Sequence, residues 1–192
     1  MRDTRSRSVQ LAYVVLGVLA PLAGIACGAD TVGTAANAGV GFGAEQQLRT
    51  TIVRVVDGDT IVVALADTSG KHEKVRLIGI DTPETKKPNT PIECYGPEAS
   101  ARLHDLLPAG AAITLERDAE ERDVYGRLLA YVHRADGLFV NEAMVTEGFA
   151  ATLSIAPNVA HRDQLRADVD AARANRRGLW GACAGPHATA PP

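Results

Sequence analysis

Two β-branched runs, TIVRVVD and TIVVALA, flank the turn Asp57-Gly58-Asp59. Asp-Gly between such runs is a strong short-range signal for an antiparallel hairpin, so the chain is committed early to a sheet. A third strand, KVRLIGI, follows the polar turn DTSGK. The period then changes. GPEASARLHDLL carries Pro97 in its first turn, Glu98 near the positive helix end and Leu103, Leu106 and Leu107 at helical spacing, and PAG stops it. AITLERD and RLLAYVHR resume the strands, a short helix is expected around NEAMVTEG, and HRDQLRADVDAARANRRG is a longer one. Its Leu165, Val169 and Ala172 share one face and Gly178 ends it. Three strands, a helix, two strands and a C-terminal helix are the element order of a five-stranded OB-fold β-barrel with α-helices, an α+β fold. That architecture does not fix a function.

The ends of the chain read differently. Arg2, Arg5 and Arg7 precede the apolar stretch Leu11–Ile25, which closes on small residues, the layout of a secretory signal over residues 1–27. Broken by Pro21, the stretch falls short of the roughly 20 residues that span a bilayer. GIAC resembles a lipoprotein box, so Cys27 is either removed or lipidated, and the protein is expected to be secreted or attached to the cell envelope. Residues 28–48, rich in Gly and Ala, read as a flexible linker, residues 49–183 as the folded domain, and residues 184–192 as a disordered tail. With Cys27 set aside, Cys94 and Cys183 form an even pair, expected to be bridged in an oxidising compartment.

Charge excludes a generic basic coat for nucleic acid. The net charge is −3, and after Cys27 there are 17 basic against 22 acidic residues. Any polyanion must therefore meet local positive charge. The stretch VRLIGIDTPETK offers it: Arg76 lies on the third strand, and Asp81, Thr82 and Glu84 stand at its exit. Arg76 and Asp81 would face opposite sides of a regular strand, so they converge only if the chain leaves the sheet, which Gly79 and Pro83 permit. Asp59, in the hairpin turn, can reach the same barrel end. Two carboxylates with a carbonyl or hydroxyl of Thr82 make a hard oxygen site suited to Ca²⁺ rather than zinc. Arg127 opens the strand after DVYG. Two guanidinium forks and a cation would neutralise a phosphodiester while Glu84 orients or deprotonates a water.

At these residues a resemblance becomes specific. VDGDT, VRLIGIDTPET, YGPEAS and DVYGRLLAYV, in that order, are similar to motifs of the staphylococcal nuclease (thermonuclease) family, and GLFVNEAMVTEGFA and the final helix extend the likeness over about Thr50 to Trp180. The resemblance implies a calcium-dependent phosphodiesterase acting on DNA and RNA, cutting on the 5′-oxygen side and leaving 3′-phosphates. It implies that Asp59 and Asp81 are the metal carboxylates and Thr82 the carbonyl ligand. Glu84 becomes the water-activating carboxylate, Arg76 and Arg127 the phosphate-gripping arginines, and Tyr125 a phosphate contact.

Departures surround that core. The best-known member carries two pocket tyrosines before a Pro-Asn turn; with one alignment gap Ser154 and Ala156 stand at those positions here, and Val124 at that of a lysine. Loss of an aromatic platform removes about 1–3 kcal/mol of base stacking. Lys86 and Lys87 lie beside the site and read as a solvated loop or a guide for the polyanion. The 5 histidines show no metal-ligand spacing and read as surface or packing residues, and Trp180 as packing for the C-terminal helix end. The expected protein is a monomer with nucleic acid as substrate and no obligate protein partner. The alternatives are a non-catalytic OB module that binds nucleic acid at the cell envelope, which need not keep Arg76, Glu84 and Arg127, and an envelope protein whose barrel binds a protein.

Overall fold

The computed structural model describes residues 46–65, 70–86 and 91–189. The expected signal, Cys27, most of the expected linker and Lys87 lie outside them. Strands β1 (Gln47–Val55), β2 (Thr60–Ala64), β3 (His72–Leu77), β5 (Ala112–Glu116) and β6 (Leu128–Arg134) close a barrel in the order β1-β2-β3-β6-β5. All pairings are antiparallel except β3 with β6. This is the five-stranded barrel that the element order implied, its first strand beginning at Gln47, slightly before the expected domain limit.

Helix α1 (Gly96–Leu106) adds Ala99, Leu103 and Leu106, all buried, to the core, and Pro97 occupies its first turn as expected. Helices α2 (Val140–Thr146) and α3 (Arg162–Ala174) pack together and add Met144, Val145, Leu165 and Val169 to the same core. Inside the barrel Ile61, Val63, Val75, Leu77, Leu115, Leu128 and Val132 are fully buried. Each such side chain contributes about 1.5–3 kcal/mol of burial free energy. On β3 only Val75 and Leu77 point inward, which leaves Arg76 on the outer face. β6 is buried on both faces: Leu129 and Tyr131, on its outer side, pack with Ile78 and Phe139.

The third strand ends earlier than its apolar run. Gly79, at φ 80°, breaks it, and a separate strand β4 (Gly79–Asp81) pairs with β7 (Ala151–Leu153). A side chain at Gly79 would meet Leu165 Cδ1 at 2.7 Å, so α3 packs directly on the break. Asn141, fully buried on α2, holds it open: its Nδ2 donates to the Ile78 carbonyl at 2.8 Å and its Oδ1 accepts the Val132 N–H at 2.9 Å. Asn141→Ala strands two buried backbone groups, each costing about 1–3 kcal/mol. Urea denaturation of the variant is expected to show a loss of roughly 2–5 kcal/mol at unchanged m-value.

Cys94 and Cys183 are bridged, with Cα atoms 6.0 Å apart, just beyond the short helix α4 (Leu179–Ala182). Trp180 packs against the core under the Arg173 guanidinium, 4.2 Å from its ring centroid. The segment after Cys183, read from sequence as a disordered tail, runs back along the loop entering α1. Ala188 accepts the Cys94 N–H at 2.7 Å and Thr189 forms a β-bridge with Glu93.

Candidate active site

Three pieces of backbone meet at one mouth of the barrel. The β1–β2 turn carries Asp59, set by its N–H donating to Asp57 Oδ1 at 3.2 Å and its carbonyl accepting the Leu77 N–H at 2.9 Å. Thr60 pairs with Arg76 in the β2–β3 ladder, so the turn stands beside the Arg76 side chain. The break at Gly79 then turns Asp81 back towards the same point. Arg76 Nη2 lies 3.1 Å from Asp59 Oδ2 and 3.2 Å from Asp81 Oδ1. Its Nη1 donates to the carbonyls of Leu77 and, at 3.0 Å, Ile80. One guanidinium thus gathers two carboxylates that an unbroken strand would have kept apart.

Asp59 is buried and hydrogen-bonded on both oxygens. Its Oδ2 also accepts the Thr82 N–H at 3.2 Å and hydroxyl at 3.1 Å, and its Oδ1 accepts the Thr60 hydroxyl at 3.1 Å. The Thr82 hydroxyl donates its proton here and keeps its lone pairs, so hydroxyl and backbone carbonyl are both candidate oxygen ligands. Gly58 is required here by close approach rather than by turn type. A Cβ on it would lie 2.6 Å from Thr82 Oγ1 and 2.8 Å from Thr82 Cβ. Gly58→Ala is expected to push Thr82 off Asp59 and lower cation affinity and turnover by roughly tenfold or more with the barrel intact. Calcium titration beside far-ultraviolet circular dichroism checks this.

Negative charge at the mouth exceeds what Arg76 neutralises. Burial pushes the Asp57 carboxyl above its ordinary value, with the charge of Asp59 and then Glu84 adding to it. Burial likewise raises Asp81, with Asp59 adding to the rise and Arg76 and His187 opposing it. A hard cation would relieve that excess, and the donors are oxygens, so the set fits one. Among the described residues no three His, Cys, Asp or Glu side chains form a ready cage. Two carboxylates and a carbonyl completed by water do not need one.

Glu84 is fastened to its own loop. Its Oε1 accepts the N–H groups of Thr85 and Lys86 at 2.8 and 2.7 Å, while its backbone N–H donates to Glu93 Oε2 at 2.8 Å and its carbonyl accepts the Glu93 N–H at 3.0 Å. This loop lies over Gly96, where a Cβ would meet Thr85 Cγ2 at 2.7 Å and the carbonyls of Pro83 and Glu84 at 3.1 and 3.2 Å. Lys86 is exposed in the same loop.

Arg127 reaches the same side because β3 and β6 run parallel, Val75 pairing with Leu128 and Arg76 with Leu129. Asp123 holds it: Oδ2 accepts Arg127 Nε at 2.7 Å, and Oδ1 accepts the backbone N–H of both Tyr125 and Arg127 at 2.9 Å. Tyr125 is 82% exposed, with the Arg127 guanidinium 5.6 Å from its ring centroid. Arg76, Tyr125 and Arg127 line one cavity of about 350 Å³ with Ile78, Ile80, Leu129, Leu153 and Ile155. The aligned Ser154 and Ala156 are not among its lining residues. Leu153, the last residue of β7, and Ile155, just beyond it, occupy the wall instead. At Leu153 and Ile155 the wall is aliphatic.

Asp123, Glu93 and Asn141 escaped the sequence reading; only Asp123, 4 residues from Arg127, had a local signal, that of a side chain folding back on its own turn. The histidines divide. His133 and His161 meet on Glu116 at 2.9 and 3.1 Å, packing beside Phe139 and Tyr131 as expected of structural residues. His187 does not fit that expectation: Nε2 lies 3.1 Å from Asp81 Oδ2 and Nδ1 2.7 Å from Glu93 Oε2. Burial pulls its pKa down, but the Glu93 hydrogen bond and the charges of Asp81 and Glu93 outweigh this and leave it raised.

Residues 74–182 match the family model described as Staphylococcal nuclease homologue, a stretch that includes Arg76, Asp81, Thr82, Glu84, Tyr125 and Arg127 and begins after Asp59. The chain is 40% identical over 129 residues to a thermonuclease of Staphylococcus hyicus, covering 67% of this chain and 73% of that protein. Against a thermonuclease of Staphylococcus intermedius it is 41% identical over 129 residues, covering 67% and 74%. It is 42% identical over 132 residues to endonuclease YncB of Bacillus subtilis (strain 168), covering 68% of this chain and 60% of that protein.

Proposed function

The chain belongs to the staphylococcal nuclease family, and from that premise we propose that this nuclease is calcium-dependent, hydrolyses phosphodiester bonds of DNA and RNA on the 5′-oxygen side and leaves 3′-phosphates. The observation that carries this reading is the convergence of Asp59 and Asp81 on Arg76 Nη2 beside a cavity that Arg76 and Arg127 line. Asp59, Asp81 and the Thr82 carbonyl would hold the ion, which when bound supplies positive charge against the phosphate oxygens.

The chain's own groups account for the rest. Arg127 presents its Nη groups to the phosphate, while Arg76, whose Nη1 and Nη2 hold Leu77, Ile80, Asp59 and Asp81, offers Nε and its charge, and both meet the extra negative charge as phosphorus becomes five-coordinate. Asp123 sets the Arg127 fork in advance, since Nε is already committed to it. Glu84 takes a proton from the attacking water as the new P–O bond forms. The P–O5′ bond breaks, its electron pair stays on oxygen, and a proton from solvent completes the 5′-hydroxyl. Tyr125, exposed at the cavity rim, is placed to donate to a neighbouring phosphate, and Lys86 to draw in the polyanion. The aliphatic wall of Leu153 and Ile155 contacts a base by apolar packing without a stacking platform, so sequence preference should be weak.

We also propose an exported protein, its N-terminal segment a signal and Cys27 the point of removal or lipid attachment; the bridged Cys94–Cys183 pair supports an oxidising compartment. End-group analysis tests the function. Fragments from a defined single-stranded DNA and an RNA should resist polymerase extension until a phosphatase removes the 3′-phosphate. Products with free 3′-hydroxyls contradict 5′-oxygen cleavage, and binding without cleavage favours the non-catalytic OB module.

A further inference from the structure

The segment after Cys183 comes back to the site. The disulfide fixes its start, the Ala188 carbonyl is bonded to the Cys94 N–H, and Thr189 bridges to Glu93. Between these anchors His187 adopts φ 61°, a left-handed backbone uncommon for a non-glycine residue. Its two ring nitrogens span Asp81 Oδ2 and Glu93 Oε2 at 3.1 and 2.7 Å. Asp81 Oδ1 is taken by Arg76. Each oxygen of Asp81 therefore meets one protein donor, and His187 is the one with no part in gripping phosphate.

We propose that residues 184–189 form an autoinhibitory strap, in which His187 holds Asp81 Oδ2 against the incoming divalent cation, so that strap docking and cation binding compete. The inference rests on Asp81 being a metal carboxylate. Competition for one oxygen is a coupling, and coupling is reciprocal: the factor by which the strap weakens cation binding is the factor by which the cation loosens the strap. The bridge at Cys183 keeps His187 local after release, at an effective concentration that favours re-docking once the ion leaves. Glu93 extends the effect towards the catalytic loop. Its Oε2 accepts both His187 Nδ1 and the Glu84 N–H, so release of the strap leaves that oxygen to Glu84.

The test measures binding rather than activity, on the full chain at one fixed pH. Calcium affinity is read by calorimetry for wild type and His187→Ala, with Asp81→Asn as control. Hydrogen exchange of the 184–189 amides is followed in wild type with and without Ca²⁺. The strap predicts affinity about fivefold or more tighter in His187→Ala, and faster strap exchange when Ca²⁺ is added to wild type but not to Asp81→Asn. Calcium binding by His187→Ala alone also supports it. Equal or weaker affinity in His187→Ala, or strap exchange in wild type indifferent to bound calcium, overturns the strap and leaves the metal reading standing. Absence of calcium binding in both wild type and His187→Ala overturns the metal reading and the competition together.

Discussion

Glu84→Gln, Arg76→Lys and Arg127→Lys should each lower turnover on single-stranded DNA by roughly 10² or more while the barrel stays folded. Glutamine keeps the shape of Glu84, and its amide oxygen can still accept the Thr85 and Lys86 N–H groups, so the loop persists without a base. Lysine keeps each positive charge but replaces a planar fork by a point donor. At Arg127 it also loses the Nε that Asp123 holds at 2.7 Å, so the charge is no longer set in advance. At Arg76 it loses the simultaneous hold on two carboxylates and the Leu77 and Ile80 carbonyls, and a stability loss should accompany the kinetic one. Steady-state kinetics with circular dichroism on each variant separates the two effects. Rates near wild type in all three folded variants would move the chemistry to other residues.

Reduction of the Cys94–Cys183 bridge should lower the melting temperature by on the order of 10 °C and leave activity at low temperature largely intact. The bridge joins residues 89 apart, and in the loop-entropy model closing such a loop destabilises the unfolded chain by about 4–5 kcal/mol. For a domain of this size each kcal/mol corresponds to roughly 2–4 °C. No proposed catalytic group lies on α4, so the loss falls on stability. The strap adds a second readout: freed at Cys183, it should compete less well for Asp81. Calorimetric melting with and without reductant, beside calcium affinity in the same buffers, measures both. An unchanged melting temperature after complete reduction contradicts the role given to the bridge.

The parts of this site that could be read from sequence are those whose chemistry is local. Asp59 sits in an Asp-Gly-Asp turn, Arg76 and Asp81 flank a glycine at a strand exit, and Arg127 follows a turn glycine. In each case the residue types and the backbone they require lie within a few positions. The barrel was legible for the same reason, since β-branched runs and helical leucines alternate along the chain. What stayed hidden depends on residues far apart in sequence. Asn141 reaches Ile78 across 63 positions and His187 reaches Glu93 across 94, contacts that leave no local pattern. The β4–β7 pair was missed because 3-residue strands carry too little periodicity to register. The Gly58 approach to Thr82 was hidden because an Asp-Gly turn already accounts for the glycine. The pocket wall falls to Leu153 and Ile155 rather than Ser154 and Ala156, a shift of one residue that a single alignment gap produces where only 3 strand residues mark the register.

Oxygen ligands at Asp59, Asp81 and Thr82 are proposed to make phosphodiester cleavage depend on a hard cation. The most direct measurement is cleavage of a labelled single-stranded DNA by exhaustively metal-stripped protein, followed by titration with Ca²⁺ and, separately, Zn²⁺. No cleavage is expected in chelator, with saturable recovery in Ca²⁺, none in Zn²⁺, and loss of the calcium recovery in Asp81→Asn. Full cleavage by the stripped protein in chelator would contradict that dependence.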